Sequence, residues 1–206
     1  MFVELSLQEF TQRLADKKAT PGGGSAAAMA GAMGAGLVSM FCTLTANRKK
    51  YAAVKEEMEQ TAQFANQRRE QLLELVDRDS AAYTKVVTAN RMPKDSEEEK
   101  AERSKAIDAA NLEATRTPLE TAAVCVEMLE QIPPLASKGN PNAISDLKVG
   151  MELLYTAFGG GKANVEINLP WLDKSVSGEI KDEIDALTHR AQRAVEKGRA
   201  EVAQIE

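Results

Sequence analysis

The chain has 206 residues, with 26 Lys and Arg against 31 Asp and Glu, which gives a formal net charge of −5 at pH 7. A chain of this length most simply forms one domain, here residues 1–206, and it can bury a core large enough to fold without disulfides or structural metals. The acidic balance argues against nucleic acid as a partner, although a local basic patch could bind an anionic small molecule.

The two cysteines and the one histidine form no recognisable motif. Cys42 and Cys125 lie far apart, without a CxxC pair or a secretory-type cluster, which is typical of a reduced, cytoplasmic protein. His189 lies on a charged stretch near the end of the chain and is interpreted as a solvated surface residue. With one histidine and no Cys/His cluster, we expect no metal site.

The first predicted helix covers residues 7–17 and opens with Ser6 and Glu9, which have the spacing of a capping box. Residues 20–24, with the sequence Thr-Pro-Gly-Gly-Gly, break it, and a second helix is predicted from Ser25. Three glycines before a helix can present free backbone N–H groups to an anion. No strand precedes them and no Walker-type Lys follows, so the segment fits a simple turn and N-cap equally well.

The second helix lies in a stretch, residues 21–47, that contains no charged residue. It has few large apolar side chains and many Ala, Gly, Ser and Thr, which favours a buried, closely packed helix over a membrane span. Gly31, Gly34 and Gly36 each cost roughly 1 kcal/mol of helix propensity. Another helix or a flat ligand must therefore come close to this backbone, and another helix is the simpler explanation.

The remaining elements are also helical. A long third helix ends near residue 90, and a second capping box, Ser96 with Glu99, opens the fourth. We expect Pro118 to kink or interrupt this helix and the Pro133-Pro134 pair to end it. A fifth helix begins near Ser145, is weakened at residues 159–161 by three glycines and stops at Pro170; an amphipathic sixth helix follows. The pattern predicts an all-α, single-domain bundle of about six long helices.

Two acidic residues are candidates for chemistry. Asp79 lies on the apolar stripe of the third helix, where a carboxylate is expensive to bury. A raised pKa would suit it to general acid or base catalysis, but an ion pair with an Arg or Lys of another helix explains the position equally well. Asp146, next to Ser145, lies in the first turn of the fifth helix, where the helix dipole keeps it ionised and where capping alone could explain it.

One compact basic run, Arg48, Lys49 and Lys50, follows the second helix. It could bind a carboxylate-bearing ligand, or it could simply stabilise the negative end of the preceding helix dipole. The Ala/Gly-rich second helix also needs close helical neighbours, which a second subunit could supply, so a homodimer is predicted.

Several segments together resemble a known family in order and spacing. They are residues 20–28 (Thr-Pro-Gly-Gly-Gly-Ser-Ala-Ala-Ala), 31–40, 44–45, 48–51, 77–83, 92–94, 118–119, 139–140, 144–146 and 164–169. They resemble the cyclodeaminase/cyclohydrolase family of tetrahydrofolate enzymes. That family includes the C-terminal domain of formiminotransferase-cyclodeaminase and stand-alone methenyltetrahydrofolate cyclohydrolases.

The resemblance implies an all-helical homodimer that binds a folate in a cleft near the subunit interface, with neither a metal nor a redox cofactor. It singles out Asp79, Asp146 and Ser145, together with the glycine-rich turn formed by Pro21, Gly22, Gly23, Gly24 and Ser25. Arg48 and Lys49 would then face the carboxylates of the folate, and the folate would be the partner, without nucleic acid or membrane.

The chemistry of a folate substrate suggests roles for the two acids. Methenyltetrahydrofolate is a cationic amidinium, so water attack on its bridging carbon needs a base and a carboxylate near the cation. We expect Asp79 to transfer the proton and Asp146 to face the cation. Details of the second helix favour a cyclohydrolase, a cyclodeaminase that releases ammonia is the alternative, and a catalytically silent folate-binding or interaction module is the hypothesis from another class.

Overall fold

A computed structural model describes residues 1–205, and this part of the chain is helical without a β-strand. Six α-helices follow one another: α1 (Leu7–Leu14), α2 (Gly23–Ala46), α3 (Lys55–Asn90), α4 (Glu97–Lys138), α5 (Ile144–Asn168) and α6 (Lys174–Ala203). Short 3-10 helices occur at Phe2–Glu4, Lys49–Val54, Pro141–Ala143 and Leu169–Trp171. The prediction of an all-α fold with six helices is confirmed, although α1 is short.

The centre of the bundle is α2, which packs mainly against α3 and α5. Helix α4 covers α3 and α5, and α6 packs against α4. Val38, Phe41 and Cys42 of α2 are fully buried. By length and composition α2 could cross a membrane, but 56% of its apolar window is buried inside this chain. That burial is what a core helix shows, in agreement with the prediction.

Helices α2 and α5 run antiparallel, and glycines allow them to touch. A Cβ on Gly34 would lie 2.8 Å from the carbonyl oxygen of Gly150, and one on Gly150 would lie 3.1 Å from the carbonyl oxygen of Gly34. A Cβ on Gly31 would lie 2.9 Å from the sulfur of Cys125 on α4. Neighbouring helices are therefore what comes close to the α2 backbone, which is the simpler of the two explanations given above.

The predicted break at the two adjacent prolines is wrong. Helix α4 runs for 42 residues and includes Pro118, Pro133 and Pro134 without interruption. A proline inside a helix costs about 3 kcal/mol. Full burial of Leu129 and Ile132 just before the proline pair gives the helix tertiary packing that outweighs this cost.

The glycine run in α5 also leaves its helix continuous, contrary to the expected weakening. A Cβ on Gly160 would lie 2.7 Å from Cβ of Ala27 on α2, and one on Gly161 would lie 2.8 Å from the carbonyl oxygen of Pro118 on α4. Gly159 has open space beside it. Two of the three glycines thus permit contact with neighbouring helices, and that packing holds the segment helical.

Both predicted capping boxes are present, at Ser6 with Glu9 and at Ser96 with Glu99. Two boundaries differ from expectation. Helix α1 ends at Leu14 rather than residue 17. Helix α2 begins at Gly23 with Gly22 as its N-cap, so Ser25 lies inside the first turn. This shift turns the Ser25 side chain towards α3, where it takes part in the candidate site.

Candidate functional site

The Asp79 carboxylate of α3 lies against the first turn of α2. A Cβ on Gly24 would overlap the Asp79 Oδ1 atom, so only glycine allows the carboxylate to approach the α2 backbone this closely. The Ser25 hydroxyl lies 3.0 Å from Asp79 Oδ2, 2.8 Å from the carbonyl oxygen of Val76 and 3.0 Å from the Ser80 hydroxyl. Because Ser25 is fully buried, its hydroxyl holds the Asp79 carboxylate from the side of the protein core.

The environment of Asp79 raises its pKa. Burial is the largest cause, because it disfavours the charged carboxylate, while hydrogen bonds from the Ser25 hydroxyl and backbone N–H oppose the shift. Among residues 1–205, no Lys or Arg forms an ion pair with Asp79, so the ion-pair alternative is wrong. An unpaired, half-buried carboxyl with a raised pKa is able to transfer protons.

A cavity of about 560 Å³ opens beside Asp79, a volume sufficient for a small-molecule ligand. Its walls come from the glycine turn, the end of α3, the first half of α4, the end of α5 and the 3-10 helix that follows α5. The lining residues are Ala19, Thr20, Gly22, Gly23, Gly24, Asp79, Tyr83, Val86, Asn90, Ile107, Asn111, Ala114, Asn164, Ile167, Asn168 and Trp171.

Much of the predicted glycine turn belongs to this cavity. Gly22, Gly23 and Gly24 line it, Ser25 supports Asp79, and Pro21 is buried just before the turn, joined to Thr20 by a cis peptide bond. The expected start of an α-helix behind the glycines is present, and Gly23 and Gly24 are its first two residues. The glycine segment is therefore the turn and N-cap of α2, and the same glycines also line the cavity.

The other predicted residues lie at the opposite end of α2. Gly23 is close to Asn164 and Gly34 to Leu154, so the antiparallel register places Asp146 beside the last turns of α2. Arg48 and Lys49 follow that helix and are exposed, as is Ser145. Since Gly24 and Asn47 are 23 residues apart, about 35 Å of helix separates the two ends. One chain does not bring Asp146, Ser145, Arg48 or Lys49 to the cavity, and their roles stay predictions.

Four asparagines in the cavity wall were missed as site residues. Each donates its side-chain N–H to a backbone carbonyl: Asn90 to Val86, Asn111 to Trp171, Asn164 to Gly160 and Asn168 to Ala114. The spacing of Asn164 and Asn168, four residues apart on one helix face, is the signal that could have identified two of them. Asn90 and Asn111 give no such signal, because they come from different helices.

Large apolar side chains are exposed around the cavity. Tyr83, Ile167 and Trp171 are 46%, 70% and 69% exposed. Tyr83 is exposed because this turn of α3 faces the cavity rather than another helix. Exposed aromatic and aliphatic groups around a cavity that also contains a few polar groups are typical of a small-molecule site.

The other chemically reactive groups lie outside this site. Cys42 and Cys125 are free and buried; burial raises the pKa of both thiols, that of Cys42 to about 12. Both therefore remain protonated, which makes them poor nucleophiles. His189 is exposed, as predicted. Within residues 1–205, no three His, Cys, Asp or Glu side chains form a group that could hold a metal ion.

Known proteins of the same all-helical class match this chain over most of its length. Residues 6–186 match the formiminotransferase-cyclodeaminase family model. A methenyltetrahydrofolate cyclohydrolase from Methylorubrum extorquens is 37% identical over 187 residues, which is 90% of each chain. The rat formimidoyltransferase-cyclodeaminase is 32% identical over 167 residues, which is 81% of this chain and 31% of that protein.

The fold agrees with these matches. The crystal structure of a formiminotetrahydrofolate cyclodeaminase from Thermotoga maritima superposes with a TM-score of 0.88 at 28% sequence identity, and the match covers 98% of both chains. The chain belongs to the formiminotransferase-cyclodeaminase family, as its sequence resemblance indicated. It is thus an all-helical enzyme of folate one-carbon chemistry.

Proposed function

We propose that the protein is a methenyltetrahydrofolate cyclohydrolase, which converts 5,10-methenyltetrahydrofolate and water to 10-formyltetrahydrofolate. The observation that carries this proposal is the unpaired Asp79 carboxyl, held by Ser25 and Gly24 at the wall of a cavity that no Lys, Arg or His lines among the described residues. Such a site favours a cationic ligand beside a proton-transfer group. The name of the Methylorubrum relative, which matches over 90% of both chains at 37% identity, supports the same reaction.

The reaction can be written around Asp79. Ionised Asp79 removes a proton from water as its oxygen bonds to the methenyl carbon, and the positive amidinium becomes a neutral tetrahedral adduct. The protonated Asp79 then returns its proton to N5 as the carbon–N5 bond breaks. The adduct hydroxyl loses its proton to solvent, and the carbon remains on N10 as a formyl group. A pKa above the usual carboxyl range suits both halves of this cycle.

The second candidate is formiminotetrahydrofolate cyclodeaminase activity. The Thermotoga cyclodeaminase, which shares this fold along nearly its whole length, favours it. In that reaction N10 attacks the formimino carbon, the departing nitrogen receives the proton of N10 and the proton of protonated Asp79, and ammonia leaves as the methenyl cation forms. Both reactions share the same amidinium, so one cavity serves either.

Two assays on the purified protein separate the candidates. In the first, loss of methenyltetrahydrofolate absorbance is followed above the uncatalysed rate; in the second, ammonia release from formiminotetrahydrofolate is measured. Acceleration in the first that disappears in Asp79→Asn supports the cyclohydrolase. Ammonia release alone assigns the cyclodeaminase, and folate binding without either reaction leaves a silent binding module.

We further propose that the enzyme is a homodimer whose interface is the exposed face of α2. Met33, Met40 and Leu44 are 46%, 39% and 42% exposed, and their spacing places them on one side of an uncharged helix. A second copy is the partner that this face fits, because two-fold symmetry pairs an apolar, uncharged surface with itself.

A two-fold pairing of α2 with α2 in antiparallel orientation would also join the separated site residues. The end of α2 that carries Arg48 and Asp146 in one copy would then approach the glycine turn and Asp79 of the other. Asp146 could face the substrate cation there, and Arg48 and Lys49 could bind the glutamate carboxylates.

Mixed dimers test this arrangement. Asp79→Asn and Asp146→Asn chains are purified separately, mixed, and allowed to exchange subunits. If each site takes one residue from each copy, up to about a quarter of the wild-type activity returns, because half of the dimers then contain one intact site. If both residues act within one chain, no activity returns. A monomeric wild-type chain with full activity would overturn the dimer proposal altogether.

A further inference from the structure

We infer that the asparagine wall of the cavity recognises the hydrogen-bond donors of the substrate's aminopyrimidine ring, and that Asn168 is the residue that determines this specificity. This inference rests on the proposed function for the identity of the ring. Its basis is the way the amides are held, together with their position relative to Asp79.

The first observation is that the amides are fixed. The Asn168 side-chain nitrogen of α5 donates to the carbonyl oxygen of Ala114 on α4 at 3.0 Å, and the Asn111 nitrogen of α4 donates to the carbonyl oxygen of Trp171 at 3.3 Å. Asn164 donates to Gly160 one turn earlier on its own helix, at 2.8 Å. Because each nitrogen has a backbone partner, each amide carbonyl is turned to the other side and keeps its accepting capacity.

The second observation is the balance of polar groups in the wall. The amide oxygens of Asn90, Asn111, Asn164 and Asn168 accept no hydrogen bond from residues 1–205, and no cationic side chain of this part of the chain lines the cavity. With the Asp79 carboxylate, the wall offers five acceptor groups. A ligand that presents N–H groups can donate hydrogen bonds to these acceptors. A phosphate or a carboxylate has no such donors and would be repelled by the lone pairs of the acceptors.

The third observation is the distance between the two ends of the wall. Asn164 contacts the glycine turn, since a Cβ on Gly23 would lie 3.5 Å from its side-chain nitrogen. It therefore lies at the same end as Asp79. Asn168 lies four residues further along α5, about 6 Å along the axis, which is comparable with the distance across a fused two-ring system. When the methenyl carbon is at Asp79, the 2-amino group and N3–H of the pterin reach Asn168.

The test uses the 206-residue chain and two pterins of equal size, one with the 2-amino group and one with a methyl group in its place. Binding is followed by the emission of Trp171, the single tryptophan of the chain, which lies at the cavity rim, and by calorimetry. We expect the wild type to bind the amino compound roughly tenfold to a hundredfold more tightly, because the bound methyl compound would cover the amide acceptors and leave them unpaired.

Two substitutions separate recognition from a structural role. Asn168→Asp keeps an acceptor but loses the N–H that bonds to Ala114, and Asn168→Ala loses both. If Asn168 recognises the donors, the preference for the amino pterin disappears in Asn168→Ala and persists in Asn168→Asp. If Asn168 merely ties α5 to α4, the two variants behave alike, which overturns the inference. Asn66→Ala, an exposed asparagine of α3 outside the cavity lining, is the matched control.

The outcomes also distinguish this inference from the proposed function. Equal binding of the two pterins by an enzyme that hydrolyses methenyltetrahydrofolate overturns the asparagine assignment and leaves the cyclohydrolase intact. A preference that depends on Asn168, in a protein without either folate reaction, supports the assignment and removes the catalytic proposal. Failure to bind either pterin overturns the assignment.

Discussion

The two ends of α2 have opposite chemistry. At its start, glycines bring the backbone against Asp79, and a cavity with amide acceptors opens next to it. At its end, exposed Arg48 and Lys49 follow the helix, and Ser145 and Asp146 of α5 lie alongside. The start is a formed site with a wall, whereas the end is an open charged surface. In the proposed function, the start of α2 would supply proton transfer and ring recognition, and the end would contribute to a site only through a second copy of the chain.

The largest expected effect is at the start of α2. Asp79→Asn should lower kcat roughly 10³-fold, because the proton-transfer group is removed while its shape is kept. Wild-type activity should rise with pH through the raised pKa of Asp79, since the base must be ionised. Steady-state kinetics across a pH series check both statements. Unchanged kcat in the variant would show that Asp79 is not the proton-transfer group.

The stability of Asp79→Asn gives a matching control. The folded-state pKa is raised, so the folded protein binds more protons than the unfolded chain above the ordinary Asp pKa of about 3.9. The free energy of unfolding of the wild type therefore falls as the pH rises from the ordinary Asp pKa through the raised pKa of Asp79. The variant has no carboxyl group at this position and does not show this fall. We expect thermal melts to show the variant at least as stable at pH 7, with the difference shrinking near pH 3.

The next effect concerns the glycine against which Asp79 lies. In Gly24→Ala the new methyl group would overlap the carboxylate and displace it, and we expect a loss of roughly 10²-fold in kcat. In Gly23→Ala the nearest atom is the Asn164 side-chain nitrogen at 3.5 Å, an ordinary contact, so activity should change little. Similar kinetics for both variants would mean that the carboxylate position is not critical.

A smaller effect is expected at the other end of α2. Asp146→Asn should lower kcat about tenfold in the dimer, because the amidinium loses one carboxylate neighbour. Met40→Asp, placed on the exposed face of α2, should shift the protein to monomers and produce at least the same loss. Sedimentation and kinetics measured on the same samples test this. A Met40→Asp variant that is monomeric and fully active would show that the charged end of α2 takes no part in catalysis.

The smallest effect measures how closely α2 and α5 must pack to hold the cavity. Gly160→Ala places a methyl group 2.7 Å from the Ala27 side chain, and we expect a destabilisation of about 1–3 kcal/mol. Gly159→Ala, its neighbour with open space, should stabilise by about 0.5–1 kcal/mol through helix propensity alone. Chemical denaturation of the pair tests this, and equal values would show that the α2–α5 contact is loose.

The fold was largely predictable because local signals agreed. Capping residues at Ser6 and Ser96 and apolar spacing near 3.6 residues define helices without reference to the rest of the chain. The predictions failed where tertiary packing outweighs propensity, at Pro133 and Pro134 within α4 and at the three glycines of α5. Buried contacts at these places supply more free energy than the local residues cost, and a local pattern does not contain that information.

Part of the candidate site was likewise predictable from local sequence patterns, and part was not. Asp79 could be identified because a carboxylate is unexpected on the apolar stripe of a helix. The glycine turn could be identified because three glycines at the start of a helix are unusual. The sequence by itself thus determined the all-helical class and the family, and it singled out Asp79 as a candidate for proton transfer. Only the tertiary structure decided that four asparagines from three helices share one wall, and that Asp146 and Arg48 lie towards the other end of α2. Distance in space between helices depends on how they pack, and spacing along the chain determines only which residues share the face of one helix.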